Sequence, residues 1–247
     1  WQNLPPEPER VRESQVMPRW HIGYNEDVAA EQQARRAASA TVARYRELEG
    51  VARVRRPDLL ARRGLADEGR DLPSEARTKL ARGTDLTFTK VGTLPGVPVG
   101  STFSSRAEAF VLGMHCHWLA GMVSGTAKLS GRGAPEISYM ASLVSSGGYD
   151  GDEDGGDVMI YTGSGGNDLA HGSKQVHDQA LTSSNATLAS SAELGLPVRV
   201  IRKQAAHGRG GVGPTGREDE YVYDGLYMCT RYYIQVGISG YVECKYQ

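Results

Sequence analysis

The chain has 247 residues, 39% of them hydrophobic, which provides enough apolar material for one or two folded domains. Its formal net charge is −1, and this argues against a protein that binds nucleic acid through an overall basic field. The charge is unevenly distributed, because residues 1–90 carry 17 basic and 14 acidic side chains whereas residues 91–247 carry 11 and 15.

Three cysteines without CxxC spacing argue against a disulfide framework and against a structural zinc site. No apolar run approaches membrane-spanning length and no signal-peptide pattern is seen, so we expect no membrane partner. These features favour a reducing compartment, cytosol or nucleus. The chain begins with Trp1 rather than Met, so we expect it to be a piece of a longer protein.

Taken in order, the chain divides into three predicted parts. Residues 1–24 are rich in proline and charge and predict an extended arm. Residues 25–90 predict a helical flank and a polar linker. From residue 91 to residue 247, short apolar runs recur between glycines, which is typical of a mainly β domain.

Two helices are predicted in the flank. Capping residues at Asn25 and Asp27 favour a helix that runs to about Glu49 and ends at Gly50. Pro57 would open a second, short helix that ends near Arg63. The arginines of this region could contact phosphates, but a solvated helix face is the commoner explanation.

The β part contains seven predicted strands and one predicted helix, Asp178–Ser190. The strands are expected at Ala109–Gly113, Ile137–Val144, Val158–Tyr161, Pro197–Ile201, Tyr221–Tyr227, Tyr232–Val236 and Gly240–Tyr246.

The stretch from Ser145 to Gly166 contains the most informative pattern in the sequence. Tyr149 and Tyr161 flank an acidic, glycine-rich loop that includes Asp152. Two aromatic rings, a carboxylate and exposed backbone could hold a planar, hydrogen-bonding ligand such as a nucleobase. A solvated acidic turn between two strands is the simpler alternative and stays open at this point.

Other chemistry is weakly supported. The loop from Asp150 copies the first half of an EF-hand calcium loop, but its twelfth position is Tyr161 where a glutamate is needed. His115, Cys116 and His117 invite a metal hypothesis, although adjacent residues cannot easily converge on one ion. No nucleophile signature or catalytic constellation is found, so we expect neither an enzyme nor a cofactor.

Several segments together resemble the SRA (SET- and RING-associated, or YDG) domain family. They are PGVPVG at 95–100, Arg106 with Glu108, GMH at 113–115, AG at 120–121, SGGYDGDEDGGDVMIYTGSGG at 146–166, Asp178-Gln179, Asn185, PVRV at 197–200 with Arg202, and YDGLY at 223–227. The segment at 55–64 and its preceding helix are similar to the flank of this domain in plant Su(var)-class histone lysine methyltransferases.

The resemblance implies a crescent-shaped, partly closed SRA-type β-barrel in an α+β, mainly β fold, preceded by an N-terminal helical segment. It also implies binding of double-stranded DNA that contains 5-methylcytosine, with the methylated base flipped out of the duplex. The implied base-pocket residues are Gly148, Tyr149, Asp152, Tyr161, Thr162 and Ser164. In that scheme the tyrosines stack on the base and Asp152 accepts from the cytosine amino group.

The resemblance further implies two loops that enter the DNA grooves and a set of phosphate contacts. The groove residues are His117, Trp118 and Leu119 on the first loop and His171, Lys174 and Gln175 on the second. The second loop, 168–176, is short for the family, so we expect weak reading of the opposite strand. The phosphate candidates are Arg106, Lys128, Arg132, Arg202, Lys203 and the arginines at 53–63.

The leading hypothesis is therefore a nuclear DNA-binding module of a chromatin-modifying parent, which would reach histone tails only through a SET domain outside this chain. A DNA-sensing module of a modification-dependent endonuclease is the first alternative. A protein-interaction or calcium-binding β-module is the second.

Overall fold

The computed structural model describes residues 28–61, 91–117, 119–128, 136–146, 151–167, 175–205 and 219–247. The predicted arm, 1–24, lies outside these ranges. Three helices are described, namely α1 (Val28–Ala61), α2 (Arg106–Val111) and α3 (Ser183–Leu194). The strands are β1 (Thr102–Phe103), β2 (Met122–Lys128), β3 (Glu136–Ser145), β4 (Glu153–Asp154), β5 (Met159–Thr162), β6 (Val198–Ala205), β7 (Asp219–Tyr227), β8 (Tyr232–Val236) and β9 (Val242–Tyr246). The expected α+β, mainly β architecture is confirmed.

Helix α1 is continuous, so the prediction of two helices was wrong. It passes through Gly50 and Pro57 without a break. A glycine in a helix costs about 1 kcal/mol relative to alanine and a proline about 3 kcal/mol, so the helix continues at Pro57 against its local propensity. The helix lies against the β domain, because a Cβ added at Gly96 would be 2.3 Å from the Ala34 carbonyl oxygen.

An ion pair and a buried ring fasten α1 to α2. Tyr45 is buried against Ala107 and Val111. Arg46 Nε donates to Glu108 Oε1 at 2.6 Å, and the Glu108 side chain is 1% exposed. Burial raises the pKa of Glu108, but its bonds with Arg46 and Ser104 outweigh burial and lower the pKa below its ordinary value. The carboxylate is therefore held charged inside the junction.

The strand predicted at Ala109–Gly113 is wrong, because these residues belong to helix α2 and the turn that follows it. Ser105 caps the helix by accepting from the Glu108 N–H, and Glu108 in turn accepts from the Ser104 N–H at 2.8 Å. This arrangement is a close relative of the Ser-x-x-Glu capping box. The pattern was present in the sequence as Ser105 and Glu108.

Two sheets form the β domain. The larger has the strand order β1-β7-β6-β3-β2, in which β3 and β6 are parallel and the other neighbours antiparallel. The smaller has the order β4-β5-β9-β8. The other six predicted strands are found with shifts of a few residues at their ends, whereas β1, β2 and β4 were not predicted. No strand pairing joins the sheets within the described ranges, so the barrel is open.

The main core lies between these sheets and against α3. It includes Met140 and Leu143 of β3, Val200 of β6, Tyr161 of β5 and Leu188 of α3. Tyr161 and Met159 alternate with Ile160 and Thr162, so one face of β5 is committed to this core. The opposite face carries Ile160 and Thr162, and Thr162 is its polar residue.

Candidate nucleic-acid interface and base pocket

The acidic loop forms a short hairpin that ends on β5. Strand β4 pairs with β5 in antiparallel register, with Glu153 opposite Ile160 and Asp154 opposite Met159. The Gly155 N–H donates to the Val158 carbonyl at 2.9 Å and closes the turn. The hairpin therefore places Asp152 beside Thr162, which is ten positions away in the sequence.

Asp152 is half-buried and is fixed by the strand. Its Oδ1 accepts from the Thr162 backbone N–H at 2.9 Å. Burial raises the pKa of Asp152 above its ordinary value, and the Thr162 bonds and the nearby Lys245 ammonium offset part of that rise. A carboxylate can accept at about four lone-pair positions, so this one can still receive an amino donor.

Tyr161 precedes Thr162 in β5, and its ring is held rigidly in the core. Its side chain is 6% exposed and packs in the main core with Leu143 and Tyr246. A Cβ added at Gly121 would be 2.6 Å from the Tyr161 hydroxyl oxygen, so only glycine lets the ring lie where it does. A ligand that reached the ring would meet a surface already held in place.

Two buried amides hold the glycine-rich turn after β5. Asn185 Oδ1 accepts from the Ser164 N–H at 2.8 Å, and its Nδ2 donates to the Ser164 carbonyl at 3.0 Å. Gln179 Nε2 donates to the Gly163 carbonyl at 2.8 Å. Asn185 and Gln179 are almost fully buried, so they position the turn and do not themselves face a ligand. Their role was not predicted from the residues, although both occur among the resembling segments.

The first groove loop is braced and carries an exposed apolar tip. His117 Nδ1 accepts from the backbone N–H groups of Leu119 and Ala120, at 3.2 and 2.8 Å. Arg106 Nη1 donates to the carbonyls of the same two residues, at 2.8 and 3.2 Å. The Leu119 side chain is 79% exposed, which is the arrangement that a wedge between bases requires. Trp118 lies outside the described residues.

His115 supports this loop from below and is not arranged as a metal ligand. Its Nε2 lies 2.9 Å from the Ala120 carbonyl, which can only accept, and Nδ1 lies 2.9 Å from the Ser142 hydroxyl. Burial lowers the pKa of His115 to about 3, so the ring is neutral. Within the described part of the chain, no group of three His, Cys, Asp or Glu side chains could hold a metal ion.

The remaining pocket and groove residues are only partly described. Gly148, Tyr149, His171 and Lys174 lie outside the described ranges. Gln175 is described, and its expected place in a groove loop does not fit its position in the structure. It is 8% exposed and its Nε2 donates to the carbonyls of His177 and Val242, so it anchors the base of the loop.

Arg202, an expected phosphate contact, is bound to carboxylates instead. Its guanidinium lies 2.9 Å from Asp154 and 2.9 Å from Asp224, and the side chain is 14% exposed. It also donates to the Gly156 carbonyl at 2.6 Å and stacks over the Tyr227 ring. These bonds connect the acidic hairpin to β7. They also pair Asp154 with an arginine, whereas the calcium hypothesis would have Asp154 as a calcium ligand.

The other phosphate candidates lie on different elements of the fold. Arg106 binds the first groove loop, as described, and its guanidinium lies 5.8 Å from the Tyr221 ring centroid. Lys203 is exposed on β6, next to Arg202. Lys128 ends β2, and only its backbone is described. Arg132 and the arginines at 53–63 carry no described side chain.

The comparisons with known proteins agree with this arrangement. The SAD/SRA domain family matches residues 90–247. Histone-lysine N-methyltransferase family member SUVH2 of Arabidopsis thaliana is 40% identical over 168 residues, which is 67% of this chain and 24% of that protein. The chain therefore spans about a quarter of such relatives.

Two solved structures are also similar. KRYPTONITE in complex with mCHH DNA, an H3(1–15) peptide and SAH aligns with a TM-score of 0.66 at 29% identity, over 88% of this chain and 42% of that one. The modification-dependent TagI restriction endonuclease aligns with a TM-score of 0.51 at 36% identity, over 65% of this chain and 52% of that one.

Fold and site together define a mainly β domain with a half-buried carboxylate bound to β5, a fixed tyrosine ring on the same strand and a separately braced loop. The chain belongs to the SAD/SRA domain family, as the resemblance predicted. No helix in the described ranges is long and apolar enough to cross a membrane.

Proposed function

We propose that this domain binds double-stranded DNA containing 5-methylcytosine and holds the methylated base, flipped out of the duplex, against Asp152 and Tyr161. The observation that carries the proposal is the Asp152 carboxylate, which is fixed by the N–H of Thr162, the residue that follows the buried Tyr161 in β5. A cytosine presents an exocyclic amino donor on its Watson–Crick edge, and an immobile acceptor in a half-buried site is complementary to it.

The chemistry divides between the pocket and the surface. The pocket supplies the acceptor, a ring wall and a turn whose backbone is held by Asn185 and Gln179. Tyr149, Gly148 and Ser164 complete it in our proposal, with Tyr149 as the second stacking ring. Thr162 contributes through its backbone, but since its N–H already binds Asp152, a base edge would use the carbonyl or compete for the amide.

Groove insertion and phosphate binding complete the proposed interface. Leu119 and Trp118, with His117 as a brace, fill the space that the flipped base leaves. His171 and Lys174 approach from the second loop. Phosphate contacts come from Lys203, Lys128 and Arg132, with Arg106 as a further donor where it is not holding the loop. Most affinity should then depend on salt.

We further infer that the parent is a nuclear, chromatin-modifying histone methyltransferase that this domain directs to methylated DNA. The 40% identity to SUVH2 supports that inference. The alternative parent is a modification-dependent endonuclease, which the alignment with TagI favours at lower coverage. Cysteine-rich pre-SET spacing or a nuclease motif elsewhere in the parent would separate the two.

The experiment is a binding titration with labelled duplexes that carry one 5-methylcytosine in CG, CHG or CHH context, beside the same duplexes unmethylated. 2-Aminopurine next to the target base reports flipping. We expect a methyl preference of roughly four- to tenfold, because burying one carbon is worth about 0.8 kcal/mol, or about 1.5 with tight packing. Equal affinity for all duplexes, with no flipping signal, would contradict the proposal.

A further inference from the structure

A buried lysine lies behind the proposed base pocket, on the strand next to β5. Lys245 of β9 is 1% exposed. Its Nζ donates to Thr162 Oγ1 at 2.7 Å and to the Gly151 carbonyl at 2.8 Å, and it lies 2.8 Å from Glu243 Oε2. An ammonium group has three N–H donors, and these three partners account for all of them.

The partners of Lys245 surround Asp152 on both sides. Gly151 precedes Asp152 in the chain, and Thr162 is the residue whose N–H binds the Asp152 carboxylate. The chain from Gly151 to Thr162 is therefore closed into a loop by two separate bonds to one ammonium. This closure restricts where the carboxylate can lie relative to β5.

Glycine at two positions makes the arrangement possible. A Cβ added at Gly151 would be 2.2 Å from Lys245 Nζ, and a Cβ added at Gly237 would be 2.1 Å from the Glu243 carboxyl carbon. Such distances are far inside van der Waals contact, so any larger residue would displace one member of the ion pair. Both backbones approach the pair as closely as atoms allow.

A buried ion pair by itself contributes little net stability to a fold. Removing two charges from water carries a large desolvation penalty, and well-packed apolar residues often serve as well. The pair at Lys245 and Glu243 directs its remaining donors onto the backbone and hydroxyl that frame Asp152. That direction fits a role in fixing the pocket.

We propose that Lys245 is a positioning residue of the base pocket: it holds Gly151 and Thr162 so that the Asp152 carboxylate stands in one place, although Lys245 never touches the base. The inference rests on the proposed function. It predicts that selectivity for methylated DNA depends on Lys245 even where overall DNA affinity does not.

The test uses two variants that disturb the contact differently. Lys245→Met with Glu243→Gln removes both charges, so no unpaired ion is left in the interior. Gly151→Ala keeps both charges but displaces the ammonium from the Gly151 carbonyl. Each should reduce the methyl preference to within about twofold, because mainly phosphate contacts would remain. Affinity for unmethylated duplex should change by less than about twofold in both variants.

Two matched controls separate positioning from general damage. Glu243→Gln alone keeps the bonds of Lys245 to Gly151 and Thr162 and should keep the preference. Arg46→Met breaks an ion pair to a buried carboxylate far from the pocket, so it should lower the thermal midpoint and leave the preference unchanged. Circular dichroism and thermal melting establish that each variant is folded.

A pH profile supplies a readout that a merely structural role would not move. The charged groups acting on Asp152 are Lys245, which lowers its pKa, and Glu243, which raises it by less. Removing both should raise the pKa of Asp152, so the double variant should lose its residual flipping signal at a higher pH than the wild type.

The outcomes are distinct. If the wild-type domain shows no methyl preference, the proposed function fails and the inference with it. If the wild type shows the preference and both folded variants retain it, with an unshifted pH profile, only the role of Lys245 is overturned. If the double variant does not fold, Gly151→Ala decides: an undiminished preference there would overturn the proposal.

Discussion

Replacement of Asp152 by asparagine or by alanine distinguishes recognition from stability in the proposed pocket. Asparagine can keep its Oδ1 facing the Thr162 N–H, 2.9 Å away in the wild type, and presents an NH₂ group where the second carboxylate oxygen was. Alanine removes both. Thr162 is fully buried, so alanine also leaves a buried N–H without its acceptor.

The magnitudes follow from these bonds. A hydrogen bond to a charged group contributes about 1.5–3 kcal/mol, and in the asparagine variant an amide donor would face the cytosine amino donor. We expect the affinity for the methylated duplex to fall to that for the unmethylated duplex, a loss of about four- to tenfold, because the bond energy exceeds the whole methyl preference. The asparagine variant should lose little stability, whereas alanine should lose about 1–3 kcal/mol from the orphaned N–H.

Fluorescence anisotropy with methylated and unmethylated duplexes at one salt concentration measures the first effect, and urea unfolding measures the second. The unmethylated duplex serves as the control, because its binding should change little in either variant. An asparagine variant that still prefers methylated DNA would refute the assignment of Asp152. An alanine variant that loses no stability would contradict the importance of the Thr162 bond, whatever its selectivity.

The preference for methylated DNA should weaken on acidification at a pH above the ordinary range of an aspartate, because burial raises the pKa of Asp152. Since that pKa is higher in the folded than in the unfolded chain, protonation of Asp152 favours the folded state, and unfolding should not explain the loss. The pKa of His115 is lowered to about 3, so below about pH 6.5 the unfolded chain binds a proton at this residue and the folded chain does not. His115 alone should therefore cost about 2 kcal/mol of stability between pH 6.5 and 5. Urea unfolding of the wild type and of a His115→Gln variant measures this difference, and equal pH profiles for the two would contradict the buried neutral ring. Lys203→Ala should weaken binding to all duplexes equally and reduce the slope of log affinity against log salt by about one. Arg202→Ala releases the acidic hairpin and should instead reduce the preference for methylated DNA. Titrations at two salt concentrations distinguish the two variants, and the reverse pattern would identify Arg202 as a phosphate contact. Because the loop at 168–176 is short, hemimethylated and fully methylated CG should bind within a few-fold of each other, and a strong preference for the hemimethylated duplex would show that this loop reads the partner strand.

The local sequence was a good guide to the strands of the two sheets. Runs such as Ile137–Val144 and Tyr232–Val236 alternate or are continuously apolar between glycines, and the structure contains strands there. It was a poor guide at Ala109–Gly113, where an apolar run predicts a strand and the structure has the end of a helix and a turn. The capping pair Ser105 and Glu108 decides for a helix, and its carboxylate is stabilised by Arg46, which is distant in the chain.

Charged side chains were the least predictable part of the site. Arg202 lies in a basic pair that looked suited to phosphate, yet Asp154 and Asp224 neutralise it. Gln175 lies in a loop expected to face DNA, yet its side chain is buried. The carboxylates bound to Arg202 come from β4 and β7, and Gln175 is bound by the Val242 carbonyl of β9 as well as by its neighbour His177, so the decisive partners are distant in the sequence.

The sequence by itself determined the family, the mainly β architecture and the residues around which a base pocket can be built, because motif spacing and hydrophobic alternation are local properties. Only the tertiary structure decided which charges remain available to a ligand. Hydrogen-bond and ion-pair partners are chosen by sheet register, and register sets Asp152 beside Thr162 and Lys245 behind both. A carboxylate between two strands thus acquires its surroundings from residues 10 and 93 positions away in the chain.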